Sequence, residues 1–96
     1  MNASSETNLK KVHLELGGKS PVIVCPDVDI KETAQIAFDA IMCNMGQVCD
    51  AGSRLYIHET IYEEFINAML ECSKNVKIGN AFDGDHVNHG PLVNKR

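Results

Sequence analysis

The sequence has no tryptophan and few other aromatics, two tyrosines and three phenylalanines. Its core must therefore rest on Ile, Val, Leu, Met and Ala. No apolar run comes near the roughly 20 residues that a membrane-spanning helix needs, so no membrane partner is expected. Basic residues never run beyond Lys10-Lys11 and the formal net charge is -4, which leaves nucleic-acid binding without electrostatic support. There is no Cys-x-x-Cys: Cys43 and Cys49 stand six apart, while His86 and His89 stand three apart in an acidic tail. Zinc sites draw on closely spaced ligand pairs, so no metal is expected. Leu16-Gly17-Gly18-Lys19-Ser20 contains Gly-Lys-Ser but lacks the preceding glycine and four-residue spacer of a phosphate-binding loop. Residues 1–7 are polar and lack the apolar stretch of a secretory signal. The four cysteines (Cys25, Cys43, Cys49 and Cys72) are accordingly expected as reduced thiols of an intracellular protein.

What is present reads as one small folded unit. Of 96 residues, 44% are hydrophobic and 23% charged, ordinary values for a globular chain. Residues 1–8 are a polar lead-in. In residues 12–16, Val12, Leu14 and Leu16 alternate with His13 and Glu15, which predicts a strand closed by Gly17-Gly18. Glu15 then faces away from the leucine side, as a solvated glutamate on an exposed strand face does. Val22-Ile23-Val24-Cys25 is a short continuous apolar run, the pattern of a strand covered on both faces. Asp29-Ile30-Lys31-Glu32 has the form of a capping box. It predicts a helix whose stripe is Ile30, Ala34, Ala37, Phe38, Ile41, Met42 and Met45, with Gly46 at its C-terminus. Residues 54–58 read as another strand. Thr60-Ile61-Tyr62-Glu63 is a second capping box, followed by a stripe of Ile61, Phe65, Met69, Cys72 and Val76 that Gly79-Asn80 closes. Cys72 reads as a buried apolar residue, and Lys74 and Lys77 suit a helix C-terminus. Residues 80–96 are mostly loop.

Strand, helix, strand and helix in succession predict an α/β layer with parallel strands. Three strands and two helices make a thin sheet with two open edges. The chain is therefore expected to be a segment of a larger α/β protein.

The stretch that suggests chemistry is residues 44–54, Asn44-Met45-Gly46-Gln47-Val48-Cys49-Asp50-Ala51-Gly52-Ser53-Arg54. It holds one cysteine between two glycines, at the junction of a helical pattern and a strand. Glycines let the backbone turn tightly and leave little bulk over the sulfur. A thiol reacts as its thiolate, which backbone amides and helix dipoles favour, and it needs little help to attack a carbonyl. Cysteine is also among the most buried residue types. Spacing alone leaves both readings of Cys49 open, nucleophile and small turn residue.

Two motifs carry a resemblance. Leu14-Glu15-Leu16-Gly17-Gly18-Lys19-Ser20-Pro21 resembles the glutamate signature of the aldehyde dehydrogenase superfamily, and Gly46-Gln47-Val48-Cys49-Asp50-Ala51-Gly52-Ser53-Arg54 resembles its cysteine signature. Their separation, 34 residues from Glu15 to Cys49, matches as well. The resemblance extends from about Asn8 to Arg96. It implies that residues 1–96 are part of a catalytic domain that forms a three-layer sandwich when complete.

The same resemblance implies roles. Cys49 matches the nucleophile that attacks the aldehyde carbon, and Glu15 the general base that activates water to release the acid. The backbone amide of Cys49 matches one donor of the oxyanion hole. Glu15, Leu16 and Gly17 fall where the family meets the nicotinamide end of NAD or NADP. The implied activity is NAD(P)+-dependent oxidation of an aldehyde to a carboxylic acid, in the cytoplasm or mitochondrial matrix, by a homo-oligomer in the full-length form. The family's pyrophosphate-binding turn and second oxyanion donor are expected before residue 1, and its ribose-binding glutamate after residue 96. Two alternatives for the 96 residues follow: an interaction module docking into a longer subunit, or a thiol with esterase-like reactivity alone.

Overall fold

Two four-residue strands pair in parallel: β1 (Pro21–Val24) and β2 (Arg54–Ile57), in the register Pro21↔Arg54, Val22↔Leu55, Ile23↔Tyr56 and Val24↔Ile57. This is a computed structural model, which describes residues 1–95. A short helix, α1 (Asn2–Ser5), precedes the sheet within the polar lead-in. Helix α2 (Ile30–Met42) makes the crossover, and α3 (Tyr62–Ser73) follows β2. A parallel pair cannot be joined by a tight turn and needs a crossover of this length. The strand-helix-strand-helix order is the α/β segment expected.

The core lies between the sheet and both helices. Val24, Ala34, Ala37 and Phe65 are buried, with Val22, Leu55, Ile57, Ala68 and Met69 packed around them. The two alanines of α2 carry little bulk, so the helix can close on Phe65, which is fully enclosed. Burying such a ring contributes roughly 1.5–3 kcal/mol.

Successive strand residues point to opposite faces. Val22, Val24, Leu55 and Ile57 meet the helices. Ile23 is 73% exposed and Tyr56 53%, so the run at Val22-Ile23-Val24 is covered on one face, not two. Both helices pack against each other on the same side of the sheet, and the described residues leave the other side bare. The radius of gyration, 18.4 Å, exceeds the roughly 12–13 Å of a compact chain this long.

Residues 12–16 do not form the predicted strand. Val12, Leu14 and Leu16 are 48%, 51% and 68% exposed. Alternation fits a strand, but a strand exists only when a neighbour takes its N–H and C=O groups, and among the described residues these five have no such neighbour.

Both helices end earlier than their stripes suggest. At the start of α2 the expected cap holds: the Asp29 carboxylate accepts from the Glu32 N–H at 2.9 Å. At its end, Met42 is the last helical residue and Cys43 already has φ -51 and ψ 126. A tight turn over Cys43–Gly46 follows, with Asn44, Met45 and Gly46 at φ 48, 57 and 73. Met45 is therefore off the helix, and Gly46 takes the left-handed conformation of a stop signal four residues late. The second capping box does not form. Thr60 Oγ1 pairs with His58 Nδ1 at 2.9 Å, His58 caps a short turn at Glu59–Ile61, and Ile61 opens α3 without a side-chain cap. Helix α3 stops at Ser73, because Lys74, Asn75 and Val76 bond three residues back, to Glu71, Cys72 and Ser73, winding into tighter turns. Val76 and Lys77 lie beyond it, and Lys74 is its C-cap.

Candidate active site

Cys49 stands exposed at the tip of a turn. The Ala51 N–H donates to the Val48 carbonyl at 3.2 Å, placing Cys49 and Asp50 at the two central positions. Behind the turn, the Gly52 N–H donates to the Ala40 carbonyl at 3.1 Å, tying the loop to the last turns of α2. A side chain at Gly52 has no room: its Cβ falls 2.6 Å from Val22 Cγ2. In front of the turn, Gln47 bonds back to Asn44 through its backbone N–H and its side chain, at 3.1 Å each. In the described chain the Cys49 side chain is exposed at that turn.

The glutamate stretch lies against this loop. A Cβ built on Gly18 falls 2.2 Å from the Cys49 carbonyl oxygen, closer than real Cβ atoms come to any backbone atom. Only glycine lets the two segments approach so closely. Arg54 fastens the same pair from the other side. Its Nε donates to the Lys19 carbonyl at 2.7 Å, its backbone N–H donates to Ser20 at 3.3 Å, and its guanidinium lies 5.9 Å from the Tyr56 ring centre. The hydrogen bond to Lys19 is charge-assisted and belongs to the stronger kind.

Together the two stretches line an open cleft of about 560 Å³, bounded by Glu15, Leu16, Gly17, Gly18, Lys19, Gly46, Gln47, Val48 and Cys49. Glu15 is in contact with His13 Nε2, and both side chains are largely exposed. Glu15, Leu16 and Gly17 therefore share one cavity with Cys49, which lies more than thirty positions further along the sequence. A thiol and a carboxylate so placed can attack a carbonyl carbon and take a proton from water. A Cβ on Gly17 meets nothing within 4 Å, so the glutamate stretch is uncovered on that side. Gly18, Gln47 and Arg54 were not legible as positioning groups, because each acts through partners remote in sequence.

Cys25 and Cys43 are exposed as well, and Cys72 is half-buried, not fully enclosed. All four cysteines are free. Among the described residues, no group of three or more His, Cys, Asp or Glu could hold a metal ion, and no helix is long and apolar enough to cross a membrane.

The fold is thus an α/β segment with a thiol and a carboxylate on one open cleft. Over residues 1–96 the chain matches the model of the aldehyde dehydrogenase family, and it belongs to that family. The match begins at Met1, whereas the resemblance read from the sequence begins at about Asn8. The chain is 48% identical over 96 residues to a protein named mitochondrial aldehyde dehydrogenase from Leishmania tarentolae, covering 100% of this chain and 19% of that one. It is 50% identical over 95 residues to an aldehyde dehydrogenase of Enchytraeus buchholzi, covering 99% and 19%. The NAD+ complex of an aldehyde dehydrogenase from Bacillus cereus superposes on it with a TM-score of 0.83 at 45% identity, over 98% of this chain and 19% of that one. The chain spans about a fifth of the length of the curated relatives it matches.

Proposed function

We propose that residues 1–96 carry the nucleophile and the general base of an NAD(P)+-dependent aldehyde dehydrogenase. The observation that carries the reading is the approach of Gly18 to the Cys49 carbonyl, which sets the glutamate stretch beside the thiol. Family membership over the whole chain supports it.

In this reading the Cys49 thiolate attacks the aldehyde carbon and forms a C–S bond. The carbonyl oxygen takes up the negative charge and accepts from the Cys49 backbone N–H. A donor of this kind is worth on the order of 2.7–4 kcal/mol in an enclosed site. A nicotinamide, when bound, would supply the acceptor for the hydride that leaves the former aldehyde carbon, and that carbon then remains on Cys49 as a thioester. Glu15, Leu16 and Gly17, which line the cleft, would hold the nicotinamide end. The Glu15 carboxylate then takes a proton from water, the hydroxide attacks the thioester carbon, and the C–S bond breaks to release the acid and return Cys49 as its thiolate, with the proton held on Glu15. The substrate class is an aldehyde, and the enzyme acts as a homo-oligomer. Its compartment is the cytoplasm or the mitochondrial matrix, the second supported by the name of the Leishmania relative.

The test is reduction of NAD+ or NADP+ by an aldehyde series, with Cys49→Ala as control. A protein of the relatives' length should lose all turnover on Cys49→Ala, and retained turnover contradicts the reading. The 96 residues alone should turn over weakly or not at all. Their cleft is open to water, where charge stabilisation is worth far less than in an enclosed site.

A second reading has its own observation. Ile23 and Tyr56 lie exposed on the bare sheet face, and in a two-stranded sheet each strand is an edge, a template for further pairing. The chain then acts as a module that docks into a longer subunit. Light scattering with and without a full-length relative distinguishes the two: a monomer that ignores the relative removes the docking reading.

A further inference from the structure

Gln47 lies two residues before Cys49, and its side-chain amide is engaged at both ends. Oε1 accepts from the Val93 N–H at 2.9 Å, and Nε2 donates to the Asn44 carbonyl at 3.1 Å. The orientation is fixed by chemistry, since an N–H can only donate and a carbonyl only accept. The Gln47 backbone is held as well: its N–H donates to the Asn44 carbonyl at 3.1 Å, and its carbonyl accepts from Asn44 Nδ2 at 3.2 Å. Four hydrogen bonds thus meet at one residue, and one of them spans 46 positions.

What they hold is a backbone that resists its own shape. Asn44 and Met45 have φ of 48 and 57, a conformation unfavourable for residues with a Cβ and sustained only when neighbours fix it. The segment that reaches Gln47, residues 88–93, is anchored independently beyond the end of α3. Asn88 accepts from the Lys77 N–H and donates to the Asn75 carbonyl, at 2.8 Å each, and the His89 carbonyl accepts from the Gly79 N–H at 3.0 Å. The segment is therefore a strap, fixed at one end to the α3 side and at the other to the cysteine loop.

We propose that Gln47 is a positioning residue for Cys49, holding the turn at residues 48–51 through the strap. The inference rests on Cys49 being the nucleophile. Attack on an ester builds an oxyanion beside the Cys49 amide and so depends on the loop's shape. Alkylation by iodoacetamide displaces iodide and needs no such donor. The two reactions therefore separate positioning from simple access.

The test uses the 96-residue chain with p-nitrophenyl acetate and with iodoacetamide, reading modification at Cys49 by peptide mass. Gln47→Met removes both side-chain bonds, and Val93→Pro removes the long one from the other partner. Val93→Pro should slow acylation about tenfold, the scale of one lost hydrogen bond, and Gln47→Met, which loses two, by more than that, with alkylation in both unchanged within about twofold. Gln47→Glu keeps the acceptor for Val93 and should fall between the native chain and Gln47→Met. Native acylation rates in both Gln47→Met and Val93→Pro overturn the proposal, and so does a parallel loss of alkylation. If the native chain fails to acylate at Cys49, the nucleophile reading falls, and this inference falls with it.

Discussion

The helix-and-strand core and the cysteine cleft are built by different means. In the core, Phe65, Ala34, Ala37 and Val24 are enclosed, and position follows from removing apolar surface from water. In the cleft, Glu15 and Cys49 are exposed, and position follows from single contacts: Gly18 against the Cys49 carbonyl, Arg54 to Lys19, and Gln47 to Val93. Burial tolerates exchange among apolar residues of like volume. A contact made by one backbone atom or one donor does not. Changes in the core should therefore be felt as stability, and changes at the cleft as reactivity at nearly constant stability.

The largest expected effect is in the core. Phe65→Ala should destabilise the chain by about 3–5 kcal/mol, read from urea denaturation followed by circular dichroism. If the loss stays below about 1 kcal/mol, α3 is not seated on Phe65 as described. Next comes Gly18→Ala. Its methyl must displace the Cys49 carbonyl, since the overlap at 2.2 Å is with backbone. Cys49 acylation should fall at least about tenfold, a change of about 1.4 kcal/mol in the barrier, while the denaturation midpoint stays close to native. Equal losses of stability and reactivity would erase the distinction between the two regions. Asp29→Ala removes the cap on α2 and should cost about 1 kcal/mol of stability, with Cys49 reactivity unchanged. The smallest effect is expected at Lys74→Ala, which breaks a pair with Glu71 at 2.6 Å whose side chains are about two-thirds exposed. It should change stability by less than about 1 kcal/mol, and a larger loss would mean that the end of α3 carries more than this surface pair.

The same division explains what could be read in advance. β1, α2, β2 and α3 follow from apolar spacing, because the forces that place them act on whole faces. Residues 12–16 carry the right spacing and still form no strand, since a strand also needs a partner that spacing does not report. The ends of α2 and α3 were misplaced for a related reason. At Met42 the chain turns so that Gly52 can reach Ala40, and beyond Ser73 it turns toward Asn88. The site was legible as two motifs, yet nothing in either motif says that Gly18 abuts Cys49 or that Gln47 reaches Val93. Those contacts join positions 31 and 46 residues apart and become visible only in the folded chain.

The pairing of Cys49 with Glu15 is tested most directly by mass spectrometry of the chain after mixing with p-nitrophenyl acetate. The native chain should show an acetyl group on Cys49 that decays with time. Cys49→Ala should show none at that site, and Glu15→Gln should acquire it at the native rate and lose it about tenfold or more slowly, as expected when a general base is removed. Decay at the native rate in Glu15→Gln would contradict the account, because the carboxylate would then share the cleft with the thiol without acting on the water that frees it.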